Sequence, residues 1–320
     1  DDFLAGADSS TETGELLQKI GLIGSLTGIT LATGLIVFLA AVHRGSRSEI
    51  RVLLRVAGGA GAVAAAGAVV EIAGAASILD IGWADAVTDS SASSAMMRLI
   101  AGTLILLGLV DHSTTVESHQ AEGLGSDAST TAEESSASHW VGVSASAFAI
   151  AGAATGLLSF GFDGHTVTEG PRLVHALVNL VHVAAGSVWF GGIVGLAIVG
   201  LLRRRTDRSA APLTVLFSSF ATVALIAVAG GGVMMSLMIT DGFGDFTGTD
   251  WGRALIIKSV AVGIAVMIGA YNHFVVVPAL ESNPDAATMQ RRAQTTVSIE
   301  AVLLLLVAIA TVFLTIASTN

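Results

Sequence analysis

His175, Asn179 and His182 stand at i, i+4 and i+7 in the apolar segment PRLVHALVNLVHVAAGSVWFGGIVGL. At 3.6 residues per turn they share one helix face, with the two imidazoles about 10 Å apart along the axis. A straight helix cannot offer both rings to one ion at that spacing. They are two stations on one path, or each bonds to a different neighbouring helix. The next apolar run carries Met234, Met235 and Met238, with Met234 and Met238 again on one face; Met96 and Met97 open an earlier run, and His165 precedes the first in FDGHTVTEG. Imidazole and thioether donors together suit Cu(I), whereas zinc prefers cysteine, histidine and carboxylate. The candidate metal ligands are therefore His165, His175, His182, Met234 and Met238. Methionine is also a common apolar filler, so the sulfur atoms carry weight only if they meet the imidazoles. With no cysteine in the chain, disulfides, thiolate sites and a cysteine nucleophile are excluded.

Ionisable and amide groups inside apolar runs are costly in hydrocarbon and mark candidate pathways. Glu71, Arg98, Lys258 and Glu300 are the charged cases, and Asn179 joins them on the histidine face. They tune charge along the path or couple protons. The plainer readings are pairing within the bundle or snorkelling to an interface. His43 and His273 lie at the far ends of two apolar runs, where they serve as an exit station or are simply solvated.

The elements that position these groups follow from composition. Of 320 residues, 52% are hydrophobic and only 12% charged, with a mean hydropathy of +0.76. So few charges cannot coat a soluble domain of this size, which points to a polytopic membrane protein. Eight apolar stretches, near 20–42, 54–79, 95–110, 140–161, 172–202, 213–239, 252–279 and 293–317, approach or exceed the length that crosses hydrocarbon. The expected fold is an all-α membrane bundle of about eight helices in two four-helix halves. A faint repeat supports the halves: SSASSAMMRLIAGTLILLG parallels GTDWGRALIIKSVAVGIAVMIG, bringing Arg98 level with Lys258. Residues 1–19 form an acidic tail outside the membrane, 20–110 the first three helices, 111–139 a disordered polar linker, and 140–320 the other five. Asp1 in place of Met fits a processed or trimmed end. Small residues crowd the second span and let helix backbones approach closely.

Loop charge sets orientation. Arg44, Arg47, Arg51 and Arg55 share one side with Arg203, Arg204, Arg205, Arg208, Arg291 and Arg292, while the opposite loops are acidic. Basic loops inside the cell leave both termini outside. The 111–139 loop has no Lys or Arg, but it holds His112, His119 and His139; histidine-rich loops can bind metal, although a solvated connector is the simpler reading. A net charge of −10, with 13 of 15 cations arginine, resembles a halophile's salt-adapted surface and excludes a nucleic-acid partner. There is no GxxxxGK[ST], HExxH or Ser/His/Asp set, so neither ATP-driven pumping nor hydrolysis is expected and no enzyme activity is implied.

The second half resembles the CopD (copper resistance protein D) family. The similarity runs from about 163 to 316: Gly164-His165, then His182 … Trp189-Phe-Gly-Gly192, FSSFATVALIAVAGGGVMMSL, Trp251-Gly252-Arg253 through Lys258, Gly269-Ala-Tyr-Asn272 with Pro278, and Glu300. The family's Gly-His-Ala element reads Gly-His-Thr here, and the copper-binding domain fused to some members is missing. The resemblance implies an integral protein of the cell membrane whose cargo is a copper ion, handed over by a separate extracytoplasmic donor protein. The expectation is copper uptake along a His/Met path: His165 and His175 receive the ion, His182 and the methionines carry it deeper, and Glu71, Arg98, Asn179, Lys258 and Glu300 line or tune the route. Two rival readings are a copper-binding sensor or scaffold that passes metal to another protein, and a b-type haem electron carrier with His182 as axial ligand.

Overall fold

The computed structural model describes residues 2–110, 146–162, 172–204, 209–240, 242, 244–283 and 286–317. Among these, every regular element is helical. Seven helices are long and apolar enough to cross a membrane. In chain order the elements are α1 (Asp2–Val37), α2 (Arg47–Leu79), α3 (Trp83–Thr88), α4 (Ser93–Val110), α5 (Ala147–Ser159), α6 (Arg172–Arg204), α7 (Ala211–Ile239), α8 (Asp245–Gly248), α9 (Asp250–Tyr271), α10 (Val277–Ser282) and α11 (Ala287–Ala317). Seven of the eight expected spans thus have a long helix. The fourth is the 13-residue α5, which runs into a 3-10 turn at Phe160–Phe162; residues 140–145 of that stretch lie outside the described residues, as does the 111–139 linker. α1 is helical from Asp2, so the acidic N-terminal residues continue into the first span without a break.

Local sequence explains where the helices start and stop. Ser46 caps α2 by accepting from the Glu49 N–H, and the Glu49 side chain accepts from the Ser46 N–H in return. α2 ends on Asp80, whose φ of 51° is the single positive value among described non-glycine residues. Thr249 caps α9, and Pro212 sits in the first turn of α7, where its missing N–H costs nothing. Two spans carry a wider π-helical turn, Phe38–Val42 after α1 and Asn272–Val276 after α9.

Glycine sets how closely the long helices pack. A Cβ on Gly34 would fall 1.8 Å from the Ser187 carbonyl oxygen, and one on Gly191 2.5 Å from the Gly34 backbone, so α1 and α6 touch main chain to main chain. Gly21, Gly28 and Gly67 bring α1 against α2 in the same way, and Gly61 with Gly102 bring α2 against α4. The small residues of the second span therefore do pack helices. Leu35, Phe38, Trp189, Phe190 and Phe217 fill the centre between α1, α6 and α7. The span centred on α1 is the most enclosed, with 67% of its most apolar window buried; the span centred on α9 has 6% buried and lies at the rim.

Candidate functional site

The charged residues inside the spans resolve into separate clusters. Nearest the acidic end, Arg98 of α4 is fully buried and its guanidinium lies 2.6 Å from Glu71 Oε1 of α2. Ser25 of α1 donates to Glu71 Oε2 at 3.2 Å, and Arg98 also donates to Ser94 Oγ at 3.2 Å. Two charges singled out separately in the sequence thus neutralise one another. Arg98 and Lys258 are level in the repeat, but among the described residues only Arg98 of the two has a carboxylate at bonding distance.

At the basic end, Arg203 of α6 grips Glu49 with two nitrogens, at 3.0 and 3.1 Å, and donates to the carbonyls of Arg44 and Ser209. His43, fully buried, places Nε2 3.6 Å from Glu49. Burial, with help from Arg203 and Arg44, pushes the His43 pKa down to about 4, against the opposing pull of Glu49. Gly45 leaves the room this cluster needs, since a Cβ there would fall 1.9 Å from Glu49 Oε2. His273 is exposed and pairs through Nδ1 with Ser218 Oγ at 2.8 Å.

The histidine face of α6 divides between two neighbours. Asn179 donates to the Phe160 carbonyl at 2.9 Å, tying α6 to the end of α5. His182 turns to α7: its Nδ1 lies 2.8 Å from the Val228 carbonyl, and its ring packs on Gly231 and Gly232. A carbonyl only accepts, so Nδ1 carries the proton and a neutral ring has its free lone pair on Nε2. The glycine run in α7 therefore makes space for an imidazole; Gly230 itself faces open space. His175, about two turns earlier on α6, is fully buried. Met234 is 42% exposed, whereas Met238 is half-buried. Among the described residues, no three His or carboxylate side chains close around a single metal position. His165 lies outside the described residues.

A further cluster joins three elements that the sequence left apart. Glu300 of α11 is 1% exposed. Trp189 Nε1 donates to its Oε1 at 2.9 Å, and Asn272 Nδ2 donates to its Oε2 at 3.4 Å. Thr296, one turn before Glu300, donates to Asn272 Oδ1 at 2.6 Å. In the sequence Trp189 and Asn272 belong to the CopD-like pattern and carry no site role. The available signal was an indole N–H and an amide in apolar spans, each needing a buried partner.

Residues 211–314 match the family described as Copper resistance protein D (CopD). The similarity to this family covers about a third of the chain. It takes in α7, α9, the second π turn, α10 and α11 up to residue 314, hence Lys258, Asn272 and Glu300; α6, with His182 and Trp189, lies before it. The chain is 33% identical over 127 residues to Inner membrane protein YebZ of Escherichia coli (strain K12), covering 39% of this chain and 43% of that protein. It is 29% identical over 120 residues to Copper transport protein CutJ of Bacillus subtilis (strain 168), covering 37% of this chain and 22% of that protein. The matched stretch spans less than half the length of either relative. No solved structure matches significantly.

Proposed function

We propose that this protein moves copper inward across the cell membrane, with the α6–α7 contact as the intramembrane station. The similarity to the CopD family and the relative named Copper transport protein CutJ support a copper-related membrane role. The observation that carries the reading is the His182 ring. Its Nδ1–H is held by a backbone carbonyl, the arrangement that commonly orients a metal-ligating imidazole and raises the basicity of Nε2. Antiparallel packing with position 182 opposite 231 sets 175 level with 238, so His175 and Met238 occupy similar depth on facing helices. Two weak stations separated along the axis suit passage better than storage, because a conducted ion must be released as readily as it is bound. Basic loops on the inner side place both termini outside, and a separate extracytoplasmic protein delivers the ion. Transport needs no bond-making chemistry, so no catalytic residue is assigned.

The test is copper accumulation in proteoliposomes. His182→Ala and Met238→Ala should each reduce uptake, with His182→Ala the more severe and the protein still folded. Uptake by His182→Ala at the level of the parent protein refutes the station. Copper bound without flux transfers the reading to a sensor or scaffold.

A further inference from the structure

Glu300 sits within the eighth span, and among the described residues no cation pairs with it. An ionised carboxylate without a counter-charge is expensive in that setting. Its two oxygens meet neutral donors instead, Trp189 Nε1 and Asn272 Nδ2.

The Asn272 amide is bordered by groups that can reverse their roles. Its Oδ1 faces Thr296 Oγ1, and that hydroxyl is also 3.0 Å from the carbonyls of Arg292 and Ala293. A hydroxyl has one proton and two lone pairs, while an amide has a donor end and an acceptor end that exchange on a half-turn. With Glu300 ionised, the Asn272 NH2 faces the carboxylate and the Thr296 proton serves Oδ1. With a proton on Glu300 Oε2, the amide half-turn lets Oδ1 accept the carboxyl O–H. The NH2 then donates to Thr296 Oγ1, whose proton passes to the Arg292 or Ala293 carbonyl. Trp189 donates to Oε1 in both states. Each polar atom named here keeps a partner in both states without backbone movement.

We propose that Glu300 is an intramembrane proton-binding site and that the Asn272–Thr296 pair is the rotor through which it accepts both protonation states. The ligand is a proton, and the site stands apart from the copper station. The charged and titratable groups on the surrounding elements are occupied or remote. On α6, His182 is seven residues before Trp189 and bonded to Val228, and Arg203 is held by Glu49. Lys258 lies 14 residues before Asn272 on α9, His273 is bonded to Ser218, and Glu281 is at the end of α10. Arg291 and Arg292 are more than two turns before Glu300 on α11, and residues 20–42 of the first span contain no charged side chain. Asn272 also opens a π-helical turn, a feature that recurs at functional positions.

Infrared difference spectroscopy of the full chain in lipid nanodiscs, titrated with pH and without copper, tests this directly. One protonated-carboxyl C=O band should be present, titrate, and vanish in Glu300→Gln. The same band should move to higher frequency in Asn272→Leu and shift in Thr296→Val, because the rotor has lost a partner. If Glu300→Gln does not fold, the other two variants carry the test. A carboxyl spectrum unchanged by Glu300→Gln at every pH overturns the proton site, and an unmoved band in Asn272→Leu overturns the rotor. Because copper is absent throughout, failure here leaves the transport reading standing, and failure of uptake leaves this one.

Discussion

Replacing Arg98 by leucine would leave Glu71 charged and uncompensated between α1, α2 and α4. The guanidinium is fully enclosed and the Glu71 side chain 11% exposed, so solvent screens the pair little. Two unit charges about 4 Å apart attract by about 4 kcal/mol at an effective dielectric near 20. Removing one partner of a buried pair costs about 3–5 kcal/mol, because the survivor is stranded, whereas replacing both by apolar groups is often close to neutral. The two estimates agree, so Arg98→Leu and Glu71→Leu should each lose that much. The double variant should lose no more than either single, so the coupling energy in a double-mutant cycle is at least about 3 kcal/mol. The assay is reversible unfolding in mixed micelles by SDS titration, with Thr103→Ala, on an exposed part of α4, as the control. Additive single losses would mean that the charges do not depend on one another, and the argument from pairing would be wrong.

Gly34→Ala pushes a methyl group into the Ser187 carbonyl and should destabilise by about 1–3 kcal/mol, as overpacking does. Gly59→Ala, with open space around it, should change stability by less than about 1 kcal/mol in the same unfolding assay. His43 gives a pH dependence. Its folded pKa of about 4 lies below the ordinary imidazole value of 6.5, so between those values the unfolded chain holds more protons, and stability falls as pH falls through that window. Melting temperatures measured between pH 7 and 4 should drop less steeply in His43→Gln, and parallel curves would discard His43 as the cause. Gly231→Val places bulk against the His182 Cβ and should lower copper uptake with little change in expression; full uptake would separate the glycine run from the imidazole.

Span positions were legible because apolar length is a strong signal. α6, α7 and the span containing α9 fall within a few residues of the expected limits. Partnerships were not. Glu71 and Arg98 are 27 residues apart, and Trp189 and Glu300 are 111 apart; hydropathy marks each as costly without saying which cost offsets which. Glu49 escaped notice because it sits in an arginine-rich stretch that opens α2, where one carboxylate looks solvated until Arg203 arrives from α6. The His182 contact with α7 depended on which way the helix face turned. The i, i+4, i+7 spacing places Asn179 and His182 on one stripe, yet Asn179 bonds to Phe160 at the end of α5 and His182 to Val228 of α7. The methionines were read by element type alone, and exposure separates Met234 from Met238.

The two π-helical turns have a consequence for how relatives should be aligned. The His43 N–H reaches back to the Phe38 carbonyl across a ring one residue wider than an α-turn. The first turn ends its span, because His43 is extended; the second is a phase slip that rotates α10 by about 100° from where an unbroken α-helix would put it. A homologue one residue shorter at 272–276 would close that turn to the α form and keep the side chains of α10 on the same face. Insertions and deletions near Asn272 should therefore be placed inside that turn, since a gap opened in the loop after α10 would pair the positions of α10 with the wrong face.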